Sequence, residues 1–333
     1  MDINSCCKNS CGKNQCKNLN HPKVIKRYIN SNVQYIADWY NSITVNPWGI
    51  ISLIEKSNEK SHCKNVYWVA NNGTNKLGKY FHNGELLEEV NTTGSPTGLV
   101  YNYTNSYEQF KIITVTSAGT IEGLRIDNNN NPFPSTEPII FNDSAVYTGV
   151  DLTRKRLYVC NFASGKVEMY DTFFNKIGEF TDDALVNSGY YPYNVAIKDK
   201  TVYVTFARKV TENCAVSGIG FGYVDKFTRD GQLLYRFISR DPLNAPWGLG
   251  FSECNKYLYV GNNGDGKINI FDLCTGEFIG PIMDENCNPI QIGNLWGISL
   301  FSDRLSFASG MDSLPQSCNV GQNGLIGYLQ ILK

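Results

Sequence analysis

Hydrophobic and polar residues alternate along most of this chain in short runs, and glycine- and asparagine-rich turns separate the runs. Residues 66–72, 157–162 and 258–263 are such runs, rich in aromatic and β-branched residues with a period of two, which is typical of strands. Turns such as HNGE at residues 82–85 and RDGQ at 229–232 contain Asn-Gly or Asp-Gly, the strongest local signal for a hairpin. The pattern therefore predicts an all-β chain of consecutive hairpins.

One motif recurs six times. Each copy contains a turn residue, an aromatic residue or Thr, a central residue that is usually Gly, and an aliphatic residue. The copies are NPWGI, SPTGL, VYTGV, YPYNV, APWGL and NLWGI, with central residues Gly49, Gly98, Gly149, Asn194, Gly248 and Gly297. Neighbouring copies lie roughly 50 residues apart, and further strand-like runs follow each copy. Four antiparallel strands in a unit of this length are typical of a propeller blade. The sequence therefore predicts a six-bladed β-propeller with four-stranded antiparallel blades.

The sixth unit reaches the end of the chain after its third strand, residues 325–332. We expect its fourth strand to come from the N-terminal side, from residues 32–38, with the pairing centred on residues 33–36. A strand that joins the blade of the other terminus closes the ring and removes exposed strand edges. We accordingly divide the chain into a Cys-rich flexible tail, residues 1–24, and a propeller, residues 25–333.

Long stretches of the chain resemble a family of uncharacterised six-bladed propeller proteins that is related to NHL-repeat proteins and to lactonases. WVANNGT, GYVDKFTRDGQLL, LNAPWGLG and VGNNGDGKINIFD carry this resemblance, together with the repeated motif. The family is frequent in bacteria and often exported. The resemblance implies the propeller fold and no established activity, and the chain departs from it at the N-terminus.

Charge and apolar patterning narrow the expected partners and location. Charged residues make up 18% of the chain and the net charge is −1, so the basic stripe of a nucleic-acid binder is missing. No apolar run approaches the roughly 20 residues that span a bilayer, and the first residues lack the apolar core of a signal peptide. We therefore expect no nucleic acid, no membrane and no classical secretion. The expected location is a virion surface or, failing that, the cytoplasm.

Four of the eleven cysteines lie in the tail among Lys, Asn, Ser and Gly: Cys6, Cys7, Cys11 and Cys16. Their spacing is a poor match to the paired CxxC of zinc sites. The tail resembles the short Cys-rich N-terminal segments of surface-fibril proteins of giant amoeba-infecting viruses, which implies that it addresses the protein to a particle and cross-links there. The alternative is a disordered tail with reduced thiols. In the propeller, Cys287 and Cys318 belong to adjoining connections, and we expect a bridge between them.

Asparagine residues recur on one expected face of the propeller, where they are able to form a ring of carboxamides around the channel. These residues are Asn46, Asn71, Asn161, Asn194, Asn244 and Asn262. Six-bladed lactonases hold calcium at this face, but with carboxylates as ligands and general base. The alternative is that the dipeptides at 72–73 and 263–264 form turns.

Two further recurring sets have plain structural interpretations. Asp171, Asp225 and Asp272 fall at or near the ends of third strands, where Asp caps turns. Trp48, Trp247 and Trp296 belong to the repeated motif, and we expect them in the core.

The leading hypothesis is a non-enzymatic structural or interaction propeller without a cofactor, with protein partners or self-assembly through the tail. The alternatives are a calcium-dependent hydrolase of the lactonase or esterase type and a glycan- or peptide-binding module. Two or more carboxylates converging at the channel mouth would favour the hydrolase. A ring of carboxamides alone would favour a structural or binding role.

Overall fold

The computed structural model describes residues 25–26, 37–38, 44–56, 63–211, 214–284, 286–302, 304–310 and 324–331. In these ranges the chain forms six antiparallel sheets, and the first strand of each sheet contacts the first strands of both neighbouring sheets in a closed ring. The predicted six-bladed β-propeller is thereby confirmed. No helix in these ranges is long and apolar enough to cross a membrane.

Two short strands, β1 (Ile25–Lys26) and β2 (Ala37–Asp38), precede the blades. Blade 1 consists of β3 (Pro47–Lys56), β4 (Cys63–Asn71), β5 (Lys76–Phe81) and β6 (Leu86–Asn91). Blade 2 consists of β7 (Pro96–Tyr101), β8 (Ile112–Thr116), β9 (Thr120–Leu124) and β10 (Glu137–Phe141). Blade 3 consists of β11 (Tyr147–Leu152), β12 (Leu157–Asn161), β13 (Lys166–Tyr170) and β14 (Lys176–Phe180).

Blade 4 consists of β15 (Tyr190–Lys198), β16 (Thr201–Thr211), the short β17 (Cys214–Ala215) paired with β16, β18 (Gly222–Thr228) and β19 (Leu233–Ser239). Blade 5 consists of β20 (Pro246–Phe251), β21 (Tyr257–Asn262), β22 (Ile268–Asp272) and β23 (Phe278–Pro281). Blade 6 contains β24 (Leu295–Phe301), β25 (Arg304–Ser309) and β26 (Leu325–Ile331). Helix α1 (Asp183–Asn187) and two 3₁₀-helices, Asn72–Thr74 and Tyr107–Gln109, lie in connections.

N-terminal residues complete blade 6, as the sequence predicted. Ile25 and Lys26 of β1 pair with Ile331 and Gln330, at the far end of β26. Ala37 and Asp38 of β2 pair with Ile326 and Leu325, at its near end. The ring is therefore closed by residues from both ends of the chain. Residues 27–36, which include the expected centre of pairing, lie outside the described residues.

Each of the six first strands carries a β-bulge at the repeated motif, seen as a shift of register against the second strand. In β11 the shift lies between Tyr147 and Gly149, and in β20 it lies between Pro246 and Gly248. A bulge leaves one residue without a partner and redirects its side chain. The residue before the central Gly is therefore aimed away from the ladder.

The core is divided among the six interfaces between neighbouring blades. Each interface holds one cluster of buried apolar side chains drawn from both blades. Between blades 1 and 6, for example, Tyr67 and Tyr80 pack with Ile326 and Tyr328. Such packing removes from water the apolar faces that a single blade would leave exposed. A seventh cluster lies at the axis of the ring.

Candidate functional site

One end of the axis is closed by aromatic side chains. We call this cluster the aromatic cap; it contains Trp48, Phe162, Tyr193, Trp247 and Trp296, with Ala207, Ala215 and Ala245. Trp48 and Trp296 stack with ring centroids 3.6 Å apart and an interplanar angle of 13°. Trp247 meets Trp296 edge-on at 6.2 Å, and its indole Nε1 donates a hydrogen bond of 3.2 Å to the Thr148 carbonyl. Blades 1, 4, 5 and 6 contribute motif residues to the cap, and blade 3 contributes Phe162, which follows β12.

The central residue of the motif lets neighbouring first strands approach closely. A Cβ added at Gly297 would lie 2.4 Å from the carbonyl oxygen of Trp48, and one added at Gly149 would lie 2.2 Å from Oδ1 of Asn194. Contacts this short do not occur between real atoms, so both positions require Gly. Asn194 replaces Gly in blade 4, where its Nδ2 donates to the Trp247 carbonyl at 2.9 Å.

The other end of the axis holds a cavity of about 360 Å³, which we call the axial cavity. Trp247 of the aromatic cap is part of its lining, so the cap lies at the bottom of the cavity. The residue two positions after the central residue of each motif also lines it. These six residues are Ile51, Val100, Asp151, Ala196, Gly250 and Ser299. Five of them are uncharged, and Asp151 is the carboxylate among the described lining residues.

Asp151 is held between blades 3 and 4 by two backbone amides. Leu152 N–H donates to Oδ1 at 2.7 Å, and Ile197 N–H donates to Oδ2 at 2.6 Å. Burial raises the pKa of Asp151 to about 7, although both hydrogen bonds act to lower it. Lys198 lines the same cavity, yet no Lys or Arg of the described residues forms an ion pair with Asp151. The carboxyl group is thus oriented but not neutralised. Sequence reasoning missed it, although comparison of the six motif copies shows it as the sole charged residue at its position.

The predicted carboxamide residues take part in local hydrogen bonds, and of the six only Asn194 lines the axial cavity. Asn71 Nδ2 donates to the Tyr80 hydroxyl at 3.1 Å, and Asn262 Nδ2 donates to the Pro242 carbonyl at 2.9 Å. Asn161 Nδ2 donates to Oε1 of Glu168 at 3.1 Å. Asn46 Nδ2 donates to Oδ1 of Asn72 at 3.3 Å, and Oδ1 of Asn244 accepts from Gly218 N–H at 2.7 Å. These contacts favour the structural interpretation of the asparagines.

The third-strand aspartates divide into two kinds. Asp171 and Asp272 cap turns as expected, since Oδ1 of Asp171 accepts from Phe173 N–H and Oδ1 of Asp272 accepts from Cys274 N–H. For Asp225 the expectation is wrong. It lies in the middle of β18, fully buried, with Oδ1 3.3 Å from Nε of Arg236. Burial raises its pKa to about 7 despite this charged partner.

Buried carboxylates occupy the corresponding place in two other blades, and sequence reasoning missed them. Glu122 of β9 accepts hydrogen bonds from the hydroxyl groups of Thr93, Thr120 and Thr136. Glu168 of β13 accepts from the Tyr147 hydroxyl at 2.9 Å. The signal was present in the sequence as an acidic residue at one offset in TIEGL, KVEMY and YVDKF. These groups lie within blades and do not reach the axial cavity.

The cysteines are placed as follows. Cys160, Cys254, Cys274 and Cys287 are not part of a disulfide, and burial raises the pKa of the Cys160 thiol. Because Cys287 is free and exposed at the tip of a turn, where its N–H bonds to the Asp284 carbonyl at 3.0 Å, the expected bridge from Cys287 is not formed. Cys214 is buried and disulfide-bonded. Cys318 and the four tail cysteines lie outside the described residues. Within the described ranges, no group of three or more His, Cys, Asp or Glu side chains is placed to hold a metal ion.

The chain is similar to uncharacterised proteins of a mimivirus. "Uncharacterized protein R648" of Acanthamoeba polyphaga mimivirus is 28% identical over 82% of this chain and 72% of its own length. "Uncharacterized protein L690" of the same virus is 26% identical over 91% of this chain and 84% of its own length. No model of a known protein family matches the chain.

Among solved structures, hydrazine synthase of Kuenenia stuttgartiensis is similar in fold, with a TM-score of 0.52. The likeness covers 86% of this chain and 87% of that chain at 14% identity. At such low identity the likeness concerns the fold alone.

Proposed function

We propose that this chain is a non-enzymatic structural or interaction propeller of a virus particle, addressed to the particle by its Cys-rich N-terminal tail. The observation that carries the proposal is the similarity to two mimivirus proteins over most of the length of each. The tail adds a chemical means of attachment, since four cysteines in a segment of low hydrophobicity are suited to cross-linking rather than to a core of their own.

The axial cavity supports a binding role over hydrolysis. Its described lining is mostly aliphatic and aromatic, with the single carboxylate Asp151. A calcium-dependent lactonase requires several oxygen ligands for the metal and a separate general base. Asp151 alone does not supply that set.

The outer strand of blade 4 supports a role in contacts with other proteins. Leu233, Leu234 and Tyr235 are consecutive residues of β19, and each is between 41% and 47% exposed. Adjacent exposed apolar side chains on an outer strand are unfavourable in an isolated molecule, because they leave both apolar surface and a strand edge open to other chains. We call these three residues the blade-4 rim and assign it to a protein contact.

The location is tested by quantitative mass spectrometry of purified particles and of the cytosol from the same infected cells, with the native full-length chain as the target. We expect enrichment in particles by at least about tenfold over cytosol, as for a stoichiometric component. A chain confined to the cytosol would contradict the proposal. Calcium-dependent turnover of a lactone or an aryl ester by the purified chain would contradict its non-enzymatic part.

The tail is tested by oxidising the full-length chain beside a variant in which Cys6, Cys7, Cys11 and Cys16 are all Ser. We expect disulfide-linked multimers of the first chain on a non-reducing gel and monomers of the variant, because flexible exposed thiols cross-link readily. A matched control carries Cys254→Ser and Cys274→Ser in the propeller and retains the multimers. Equal multimer formation by all three chains would contradict the role given to the tail.

A further inference from the structure

We propose that the axial cavity binds a small organic cation, a protonated amine on an apolar body, with Asp151 as its counter-ion. This inference goes beyond the particle role, because it assigns a ligand site that structural use of the propeller does not need. The cavity has the size of small-molecule sites, which lie between about 300 and 1,000 Å³ and combine apolar walls with a few polar groups. At about 360 Å³ it holds a ligand of one ring or a short alkyl chain.

The fold itself does not require a carboxylate at position 151. In blade 3, Oδ2 of Asp151 accepts from Ile197 N–H of the next blade. Blades 6 and 1 make the same connection without charge, since the Ser299 hydroxyl accepts from Ser52 N–H at 3.2 Å. Ser299 and Asp151 hold equivalent positions in the repeat. A hydroxyl is therefore sufficient for the contact between blades, and the charge of Asp151 has another use.

The surroundings of Asp151 are suited to an ammonium group. A partly buried carboxylate without a cationic partner is unfavourable in its charged form, and a bound cation supplies the missing charge. Trp247 and Phe251 are aromatic residues of the described lining, and aromatic faces attract cations. Ile51 and Ala196, which hold the same motif position as Asp151 and are partly exposed, add aliphatic residues to the lining beside it. A charge partner and apolar walls in one cavity are the chemistry that recognises an amphipathic amine.

The probe is 2-phenylethylamine, and its neutral counterpart is 2-phenylethanol. Isothermal titration calorimetry of the full-length chain at pH 8 is expected to show the amine binding at least about tenfold more tightly than the alcohol, as a charged hydrogen bond adds about 1.5 kcal/mol or more. Asp151→Asn removes this preference. The control Asp143→Asn, at an exposed loop residue, retains it. No binding of the amine, or equal binding of amine and alcohol, overturns the proposal.

The pH dependence of amine binding by the unaltered chain gives a second test that does not depend on the folding of a variant. Affinity is expected to rise about tenfold from pH 6 to pH 8, because Asp151 loses its proton over this range while the amine keeps its own. Among the described residues, Tyr103 and Tyr107 interact electrostatically with Asp151, and Lys198 lines the same cavity. Burial raises the pKa of both tyrosines, so they stay neutral over the range. An affinity that is constant or that falls with rising pH overturns the proposal.

Discussion

The two ends of the propeller axis are built from neighbouring positions of the same six first strands, yet one end is packed solid and the other is open. In four of the six motif copies the residue before the central position belongs to the closed end, where Trp48, Tyr193, Trp247 and Trp296 are part of the aromatic cap. The residue two positions after it lines the axial cavity, where five blades place uncharged residues and blade 3 places Asp151. Two positions three residues apart on the same strand thus have different roles: one packs the fold and the other lines the candidate site.

This difference between the two ends distinguishes the positions of the repeat that serve packing from a position that has another role. Positions that serve the fold carry similar residues in most copies, because every blade meets the same packing requirement. A charged residue in only one copy costs desolvation free energy. Such a residue therefore indicates a role other than the packing that all blades share. Ser299 supplies the comparison, because it makes the contact between blades that Asp151 makes, and makes it without charge.

The largest expected effect lies at the closed end. Trp296→Ala removes the ring that stacks on Trp48 and meets both Tyr193 and Trp247. We expect the free energy of unfolding to fall by about 3–5 kcal/mol, the usual loss when a buried aromatic residue becomes Ala. Equilibrium unfolding in urea measures this loss. Phe173→Ala, at a residue that is 74% exposed, serves as the control and should change stability by less than about 0.5 kcal/mol. A loss below about 1 kcal/mol for Trp296→Ala would show that the cap is not a structural element.

A pair of glycines compares the central position of the motif with the position two residues after it. A Cβ at Gly297 would meet the Trp48 carbonyl oxygen at 2.4 Å, whereas the nearest atom to a Cβ at Gly250 lies at 3.6 Å. Gly297→Ala should therefore destabilise the protein by about 1–3 kcal/mol through overpacking. Gly250→Ala should be neutral or stabilise it by up to about 1 kcal/mol, because Ala reduces the freedom of the unfolded chain. Thermal unfolding followed by circular dichroism ranks the two variants. Equal midpoints would mean that the two positions are packed alike.

Much of the fold could be predicted because a propeller repeats its signals. Six motif copies, with Asn-Gly and Asp-Gly turns between alternating runs, led to the blade number and to the strands, since each signal is local and occurs several times. Gly84 and Gly231, for instance, have the positive φ that the predicted turns require. Closure by N-terminal residues was also predictable, because a sixth blade with three strands needs a fourth. Helix α1 was not predicted, since it is only five residues long.

The candidate site was harder to predict, because its residues depend on which way side chains face. Asn161 and Asn262 end second strands on the expected face, but their amides bind to Glu168 of the same blade and to Pro242 in the connection between blades 4 and 5. Asp225 looks like a turn residue in the sequence, and only the register of β18 shows it buried beside Arg236. Asp151 follows the central Gly by two positions, and the bulge at that Gly decides that it reaches the cavity. Local patterns do not contain this information.

The smallest effect concerns the open end and depends on the protonation of Asp151. Its pKa is about 7 in the folded protein, well above the usual value for Asp in an unfolded chain. Between about pH 4 and pH 7, Asp151 therefore carries a proton in the folded state but not in the unfolded state. The contribution of Asp151 to stability is fully present below the unfolded pKa and is lost as the pH rises through the folded pKa.

Asp151→Asn cannot titrate, so the stability of the unaltered chain relative to this variant should decrease from pH 5 to pH 8. We expect a decrease of about 1 kcal/mol, because the partial exposure of Asp151 to the cavity weakens the full effect of its pKa shift. Urea unfolding of both chains at the two pH values measures it. Asp225, whose pKa is also about 7, is present in both chains, so its contribution cancels in the difference. A difference that stays constant or grows with pH would mean that Asp151 is already ionised at pH 5, and the open end would then be charged throughout the neutral range.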